Sequence, residues 1–267
     1  MAQSINLSRQ RTQSRWWLKL LRQIGFFLIL LLAWEGLARS GIWPSFLFVG
    51  PIDVATSLFS NLQSGVLLTA ILTSVSRLAV GYFTSAVLGI SLGLFIGLNR
   101  YAKETLGSLV LGLQALPSVC WIPLALLWFG LSENAMYYVV IMGALFSIIL
   151  GVEAGVRHTP PVYLKAARNM GAKGLNLAFF VVLPAALPSI IVGLKQGWTF
   201  AWRSLMAAEL LYVTVSLGGL LEESRQNIEI SQMFSVMVVI IIVGILIDSF
   251  IFSPLERTVR TRWGFDQ

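Results

Sequence analysis

The sequence predicts an all-α protein that threads a membrane about six times, and three observations predict it. Of 267 residues, 57% are hydrophobic and 12% charged, with mean hydropathy +0.80; soluble domains run near 45–50% and 25%. The apolar residues gather into runs close to the ~20 residues that a helix rising ~1.5 Å per residue needs to cross the hydrocarbon core. The lysines and arginines concentrate in alternate connections between those runs, the bias that sets orientation.

The elements follow in order. Residues 1–23 form a basic segment with Arg9, Arg11, Arg15, Lys19 and Arg22. Basic residues ahead of the apolar run Ile24–Ala33 imitate a signal peptide. Trp34-Glu35-Gly36 follows instead of a small-x-small cleavage site, so a retained first helix is expected. Six spans are expected at Ile24–Ala38, Ala79–Leu98, Leu106–Phe129, Ala135–Val156, Leu187–Leu210 and Phe234–Phe252. The mildly apolar Pro51–Arg77 reads as one or two interfacial helices leading into span two. The organisation is then a basic N-terminus (1–23), a transmembrane domain (24–252) containing a polar loop (157–184), and a C-terminal tail (253–267).

Span two carries Gly81, Ser85, Gly89, Gly93 and Gly97 at every fourth position, a small-residue stripe that lets helix backbones approach closely in lipid. Packing within one subunit is the default reading; contact with a second copy is the other. In span three, Pro117 and Pro123 each lack an N–H and crowd the carbonyl four residues earlier, which predicts a kink or local unwinding. Such a break is tolerated where protein or water receives the freed carbonyls. A structural kink and a bend beside a translocation path are both open.

With the N-terminus inside, the inner segments also hold Arg100 and Lys103; Arg157, Lys165, Arg168 and Lys173; and Arg257, Arg260 and Arg262. The outer segments hold only Arg39, Arg77 and Arg225 beside Glu133, Glu222, Glu223 and Glu229. Both termini are therefore expected in the cytoplasm. The net charge of +7 tracks the membrane ends, so nucleic acid is not an expected partner and the lipid bilayer is. One cysteine, Cys120, excludes an intrachain disulfide. The single histidine, His158, has no second ligand nearby, so neither a metal site nor an intramembrane catalytic site is expected.

The most informative stretch is the polar loop. Pro160-Pro161 ends one segment, Val162–Met170 holds good helix formers, and Gly171 stands where a helix C-cap is expected. A second short apolar-faced helix should lead to Pro184. Small Ala166 and Ala167 leave room for a partner surface, while Lys165, Arg168 and Lys173 supply charge. An ordinary amphipathic interfacial helix is the plainer alternative.

With Ala166-Ala167, Gly171 and Leu183-Pro184 at this spacing, the chain resembles the permease subunit of type I ABC importers, in the nitrate/sulfonate/taurine branch. Gly50-Pro51, Ser76-Arg77 with Gly81, Leu116-Pro117-Ser118, Trp121-Ile-Pro123, Trp128-Phe-Gly130, Ala201-Trp202-Arg203 and Ala207-Ala208-Glu209 extend the match over nearly the whole length. The resemblance implies a homodimer of such permeases in the bacterial plasma (inner) membrane. It also implies two cytoplasmic ABC ATPases that bind ATP and Mg, and an external substrate-binding protein. Lys165, Ala166, Ala167, Arg168, Gly171, Leu183 and Pro184 would be the ATPase-coupling residues. Lys165 stands where the family has glutamate, which suggests an acidic group in the partner's groove. No Gly-x-x-x-x-Gly-Lys-Ser/Thr loop occurs, so no cofactor is expected in this chain and ATP hydrolysis falls to the partner.

In span five, Lys195, Trp198, Thr199, Trp202 and Arg203 fall on one broad helix face. Lys195 lies roughly 16 Å beyond Pro184 at ~1.5 Å per residue, near mid-membrane, and a lysine facing lipid there costs about 2.5–3.5 kcal/mol. This face is the candidate substrate pathway for a small anion, internal pairing of Lys195 being the alternative. Arg203 is common at this point in the family. Glu209 is expected at the outer mouth, contacting the binding protein or capping the packing, and Asp248 at the inner interface. The expected function is passage of a small anion, aliphatic sulfonate first, with nitrate, bicarbonate, taurine or a thiamine-precursor-like cargo open. An ion-coupled secondary transporter working without an ATPase is the rival, although matching broken helices in two halves are not evident.

Overall fold

The computed structural model describes residues 2–44, 47–212 and 214–262, and among them every regular element is helical. Helix α1 (Ala2–Arg39) has its apolar stretch at Leu21–Arg39. It is tied to the start of α2 (Pro51–Gln63): the Trp34 indole donates to the Val49 carbonyl at 3.0 Å, and the Ile52 N–H reaches the Glu35 carboxylate at 3.4 Å.

Helix α3 runs unbroken over Val66–Leu98. Pro51–Arg77 is therefore not wholly interfacial; the turn at Ser64-Gly65, with Gly65 at φ +76°, delivers the chain directly into a 33-residue helix. Arg77 and Asp53 make the stretch look too polar, but Arg77 lies only 5% exposed among partners described below.

Span three is two helices, not one. Helix α4 (Arg100–Gln114) and α5 (Ser118–Phe129) meet at 101°. The break falls at Pro117 as expected. Pro123 breaks nothing, because it occupies the first turn of its α-helical segment, where an N–H would have no helical partner. Helix α6 (Glu133–His158) starts on the Ser132 hydroxyl, which accepts from the Ala135 N–H. The short α7 (Pro161–Asn169) follows.

Helix α8 is continuous over Gly174–Glu209, so the expected separate short helix before Pro184 does not exist. A wide π-helical turn at Ala178–Val182 precedes Pro184. Widening there relieves the crowding that a proline ring imposes on the preceding turn. Helix α9 (Leu217–Gln226) caps the end of the bundle remote from α7, and α10 (Ile230–Val259) carries the last apolar run. Among the described residues five helices are long and apolar enough to cross a membrane, or six if the bent α4–α5 pair is one span.

The core is α6 clasped between α3 and α8. A side chain built at Gly81 would meet Val140 at 2.6 Å, at Gly89 Ile148 at 2.7 Å, at Gly93 Val152 at 2.6 Å and at Gly97 Val156 at 2.7 Å. The small-residue stripe is thus spent inside this subunit. On the opposite side of α6, Gly151 and Gly193 meet so closely that a Cβ on Gly151 would lie 2.5 Å from the Gly193 Cα.

Candidate functional site

Three regions carry the functional residues. The first is the loop between α6 and α8. Prolines 160 and 161 turn the chain, and Pro161 occupies the first position of α7. Gly171 adopts φ +88°, a conformation favouring glycine. Its N–H bonds the Arg168 carbonyl at 3.0 Å while the Ala172 N–H bonds that of Ala167 at 2.9 Å. This paired closure defines a glycine-terminated helix end.

The loop does not treat Ala166 and Ala167 alike. Ala166 is exposed, but Ala167 is buried in the main core with Leu177, Val182 and Ala186. The expectation that both leave room for a partner is corrected: Ala167 fastens α7 to the bundle. Lys165, Arg168 and Gly171 are exposed, as is Pro184, whereas Leu183 packs against the core. Beside them stand apolar side chains that the sequence reading did not single out, Met170 87% exposed and Phe180 79% exposed, with Tyr163 and Leu175 also uncovered. Their signal was legible as apolar residues in a basic loop.

The second region is the middle of α8, where the five pathway candidates divide. Lys195 Nζ lies 3.3 Å from Asp248 Oδ1 and 3.5 Å from Glu256 Oε2, both on the last helical stretch. Trp198 and Trp202 stack at 6.5 Å and pack inward; Trp198 also meets Tyr82 and Phe252. These three residues belong to the packed side. Thr199 and Arg203 face outward in an exposed row with Val192 and Gln196. At about 3.6 residues per turn the five span roughly 140° of the helix, wide enough for neighbours to cover one edge and leave the other open.

Two cavities flank that row. One of about 470 Å³ lies toward the α7 end among His158, Ser189, Gln196 and Glu256. The other, about 350 Å³, sits at the α4–α5 break among Gln114, Pro117, Ser118, Trp121, Ser147 and Arg203. His158 has no cluster of metal-binding side chains around it among the described residues.

The third region, missed from sequence, closes the end remote from α7. Of the two expected roles of Glu209 at this end, the structure shows the packing one: the residue is fully buried. Its carboxylate accepts from the Ser74 hydroxyl at 2.7 Å, the Gly218 N–H at 3.0 Å and Arg77 Nη1 at 3.1 Å. Arg77 Nε also donates to Glu133 at 2.8 Å, and Nη1 to Thr214 at 3.2 Å. Opposite charges in apolar runs were the available signal, since each needs a partner in lipid.

Residues 85–261 match the family described as Binding-protein-dependent transport system inner membrane component. A putative ABC transporter permease, MJ0413 of Methanocaldococcus jannaschii, is 32% identical over 188 residues, 70% of each chain. The putative aliphatic sulfonates transport permease SsuC of Bacillus subtilis is 27% identical over 86% of this chain and 83% of that protein. Other relatives carry names for nitrate, taurine and bicarbonate transport. Among solved structures, the inward-facing MetNI methionine ABC transporter matches 73% of this chain and 95% of its own, with TM-score 0.62 and 21% identity.

Proposed function

Since this chain belongs to the family of binding-protein-dependent transport system inner membrane components, we propose that two copies of it form the pathway of an ATP-driven importer for a small anion. It is a permease subunit of the type I ABC importer kind and a multi-span membrane protein. The finer reading places the loop 157–184 in the cytoplasm with both termini, against two ATPase subunits that bind ATP and Mg. A binding protein delivers cargo at the opposite face. Within this scheme residues 1–23 and 253–267 flank the transmembrane domain on the cytoplasmic side. Aliphatic sulfonate leads as cargo, nitrate, bicarbonate and taurine being the other anions among relatives' names.

One observation carries the coupling role. Helix α7 is fastened to the core through Ala167 while Met170, Tyr163, Lys165, Ala166 and Arg168 remain uncovered beside it. Apolar and basic side chains grouped on a rigid projection suit a protein partner better than water. Force applied there reaches α6 and α8 together, because Leu164, Ala172, Val181 and Leu183 pack on the same cluster as both helices. Pro184 follows the π-helical turn inside α8.

The test is transport after changing the loop's turn. Gly171→Leu places a branched side chain at φ +88°, costing about 1–2 kcal/mol locally, and should abolish ATP-driven uptake while the subunit still inserts. Normal uptake by that variant, or uptake that persists after the ATPase is removed, would replace this reading with the ion-coupled carrier.

A further inference from the structure

We propose that the cavity at the α4–α5 break is an anion subsite in which Arg203 meets the cargo's charged group. The inference rests on the importer reading above and narrows it to one place. Of the two α8 cations in the candidate pathway, Lys195 is already neutralised by Asp248 and Glu256. Arg203 has no hydrogen bond or ion pair to any described residue, and it is exposed on a helix long and apolar enough to cross a membrane. A guanidinium in such a helix is costly toward lipid and marks a pathway or a paired site.

The surroundings select for negative charge. Among the described residues no carboxylate lines this cavity, whereas the cavity toward α7 includes Glu256. The neutral polar groups around Arg203 are the Gln114 amide, held on the Ser147 hydroxyl at 3.2 Å, and the Ser118 hydroxyl. Ser118 follows the 101° break, which brings its hydroxyl to this depth. From Arg203 to Glu209 is six residues, roughly 9 Å along α8, so the cavity lies just beneath the buried Arg77–Glu209 pair. A volume of about 350 Å³ is at the small end for ligand sites. One open-sided cation attracts a small monovalent anion such as a sulfonate or nitrate and lets it leave.

The experiment uses the complete transporter in membrane vesicles, with Cys120→Ser and Ser118→Cys placing one thiol in the cavity. Modification rates are compared for sulfonatoethyl methanethiosulfonate, an anion, and its trimethylammonium counterpart. The anion-to-cation rate ratio should fall roughly fivefold or more in Arg203→Gln, the effect of one unit charge about 4 Å away in water, and Arg203→Lys should restore it. Ethanesulfonate or nitrate should slow modification when Arg203 is intact and in Arg203→Lys, and not in Arg203→Gln. Equal ratios in all three proteins, or protection by neither anion, overturns the subsite. ATP-driven anion uptake by the unmodified complex is scored separately. Its absence beside charge-selective labelling removes the importer reading and not the subsite; its presence beside equal ratios removes the subsite alone.

Discussion

The two ends of the helix bundle solve opposite problems. At the end near α9, Glu209, Arg77, Glu133, Ser74 and the Gly218 N–H satisfy one another. At the α7 end, Met170, Phe180, Tyr163 and Leu175 are left uncovered around a helix that is itself firmly attached. The charged cluster at one end is complete within the chain. In the proposed assembly the apolar side chains at the other are covered by a partner. Self-sufficiency at one end gives the bundle a fixed reference against which the other can be pushed.

The strongest way to break the contrast is to unbalance the complete end. Glu209→Ala leaves Arg77 with Glu133 as its one carboxylate partner and takes the acceptor from Ser74 and the Gly218 N–H; loss of one partner from a buried pair costs about 3–5 kcal/mol. Denaturant titration in detergent should register it. Glu209→Gln, which keeps an acceptor for Ser74 and Gly218, should cost clearly less; equal losses would mean that shape rather than charge seals this end.

Next in size is the seam that joins the ends. Gly151→Leu drives a side chain into the Gly193 backbone, which cannot swing aside. Overpacking of this kind costs about 1–3 kcal/mol. The same substitution at Gly112, where a Cβ meets nothing within 4 Å, is the control and should leave stability nearly unchanged. Gly171→Leu sits at the incomplete end and should spend its effect on uptake rather than on unfolding.

The smallest effect belongs to the Glu222–Arg225 surface pair on α9. Hydrogen bonding from Arg225, then Gln226, holds the Glu222 carboxyl down to about 2 from 4.5. A depressed carboxylate favours the folded state above its ordinary value and loses that contribution as pH falls through about 2. Arg225→Ala should therefore move Glu222 titration, followed by carboxyl NMR, back up toward its ordinary range, with no change in uptake.

How much of this was legible depended on range. Pro117, Pro160-Pro161 and Gly171 act on their own neighbours, so the break and the loop could be placed from sequence. Pro123 misled because a proline in the first turn of an α-helical stretch removes no helical hydrogen bond. Arg77 and Glu209 are 132 residues apart, and no local pattern pairs them; what was visible was only that each required a partner. The α8 group divides for another reason. Periodicity assigns residues to a face, but whether Lys195 is covered depends on Asp248 and Glu256 arriving from a different helix.

The bare meeting of Gly151 and Gly193 has a geometric sequel. Gly193 stands ten residues from Leu183 and ten from Arg203, roughly 15 Å each way along α8. With no side chains between the two backbones, that crossing has the form of a fulcrum with equal arms. Any rocking of α8 about it carries Arg203 as far as Leu183 travels, in the reverse sense.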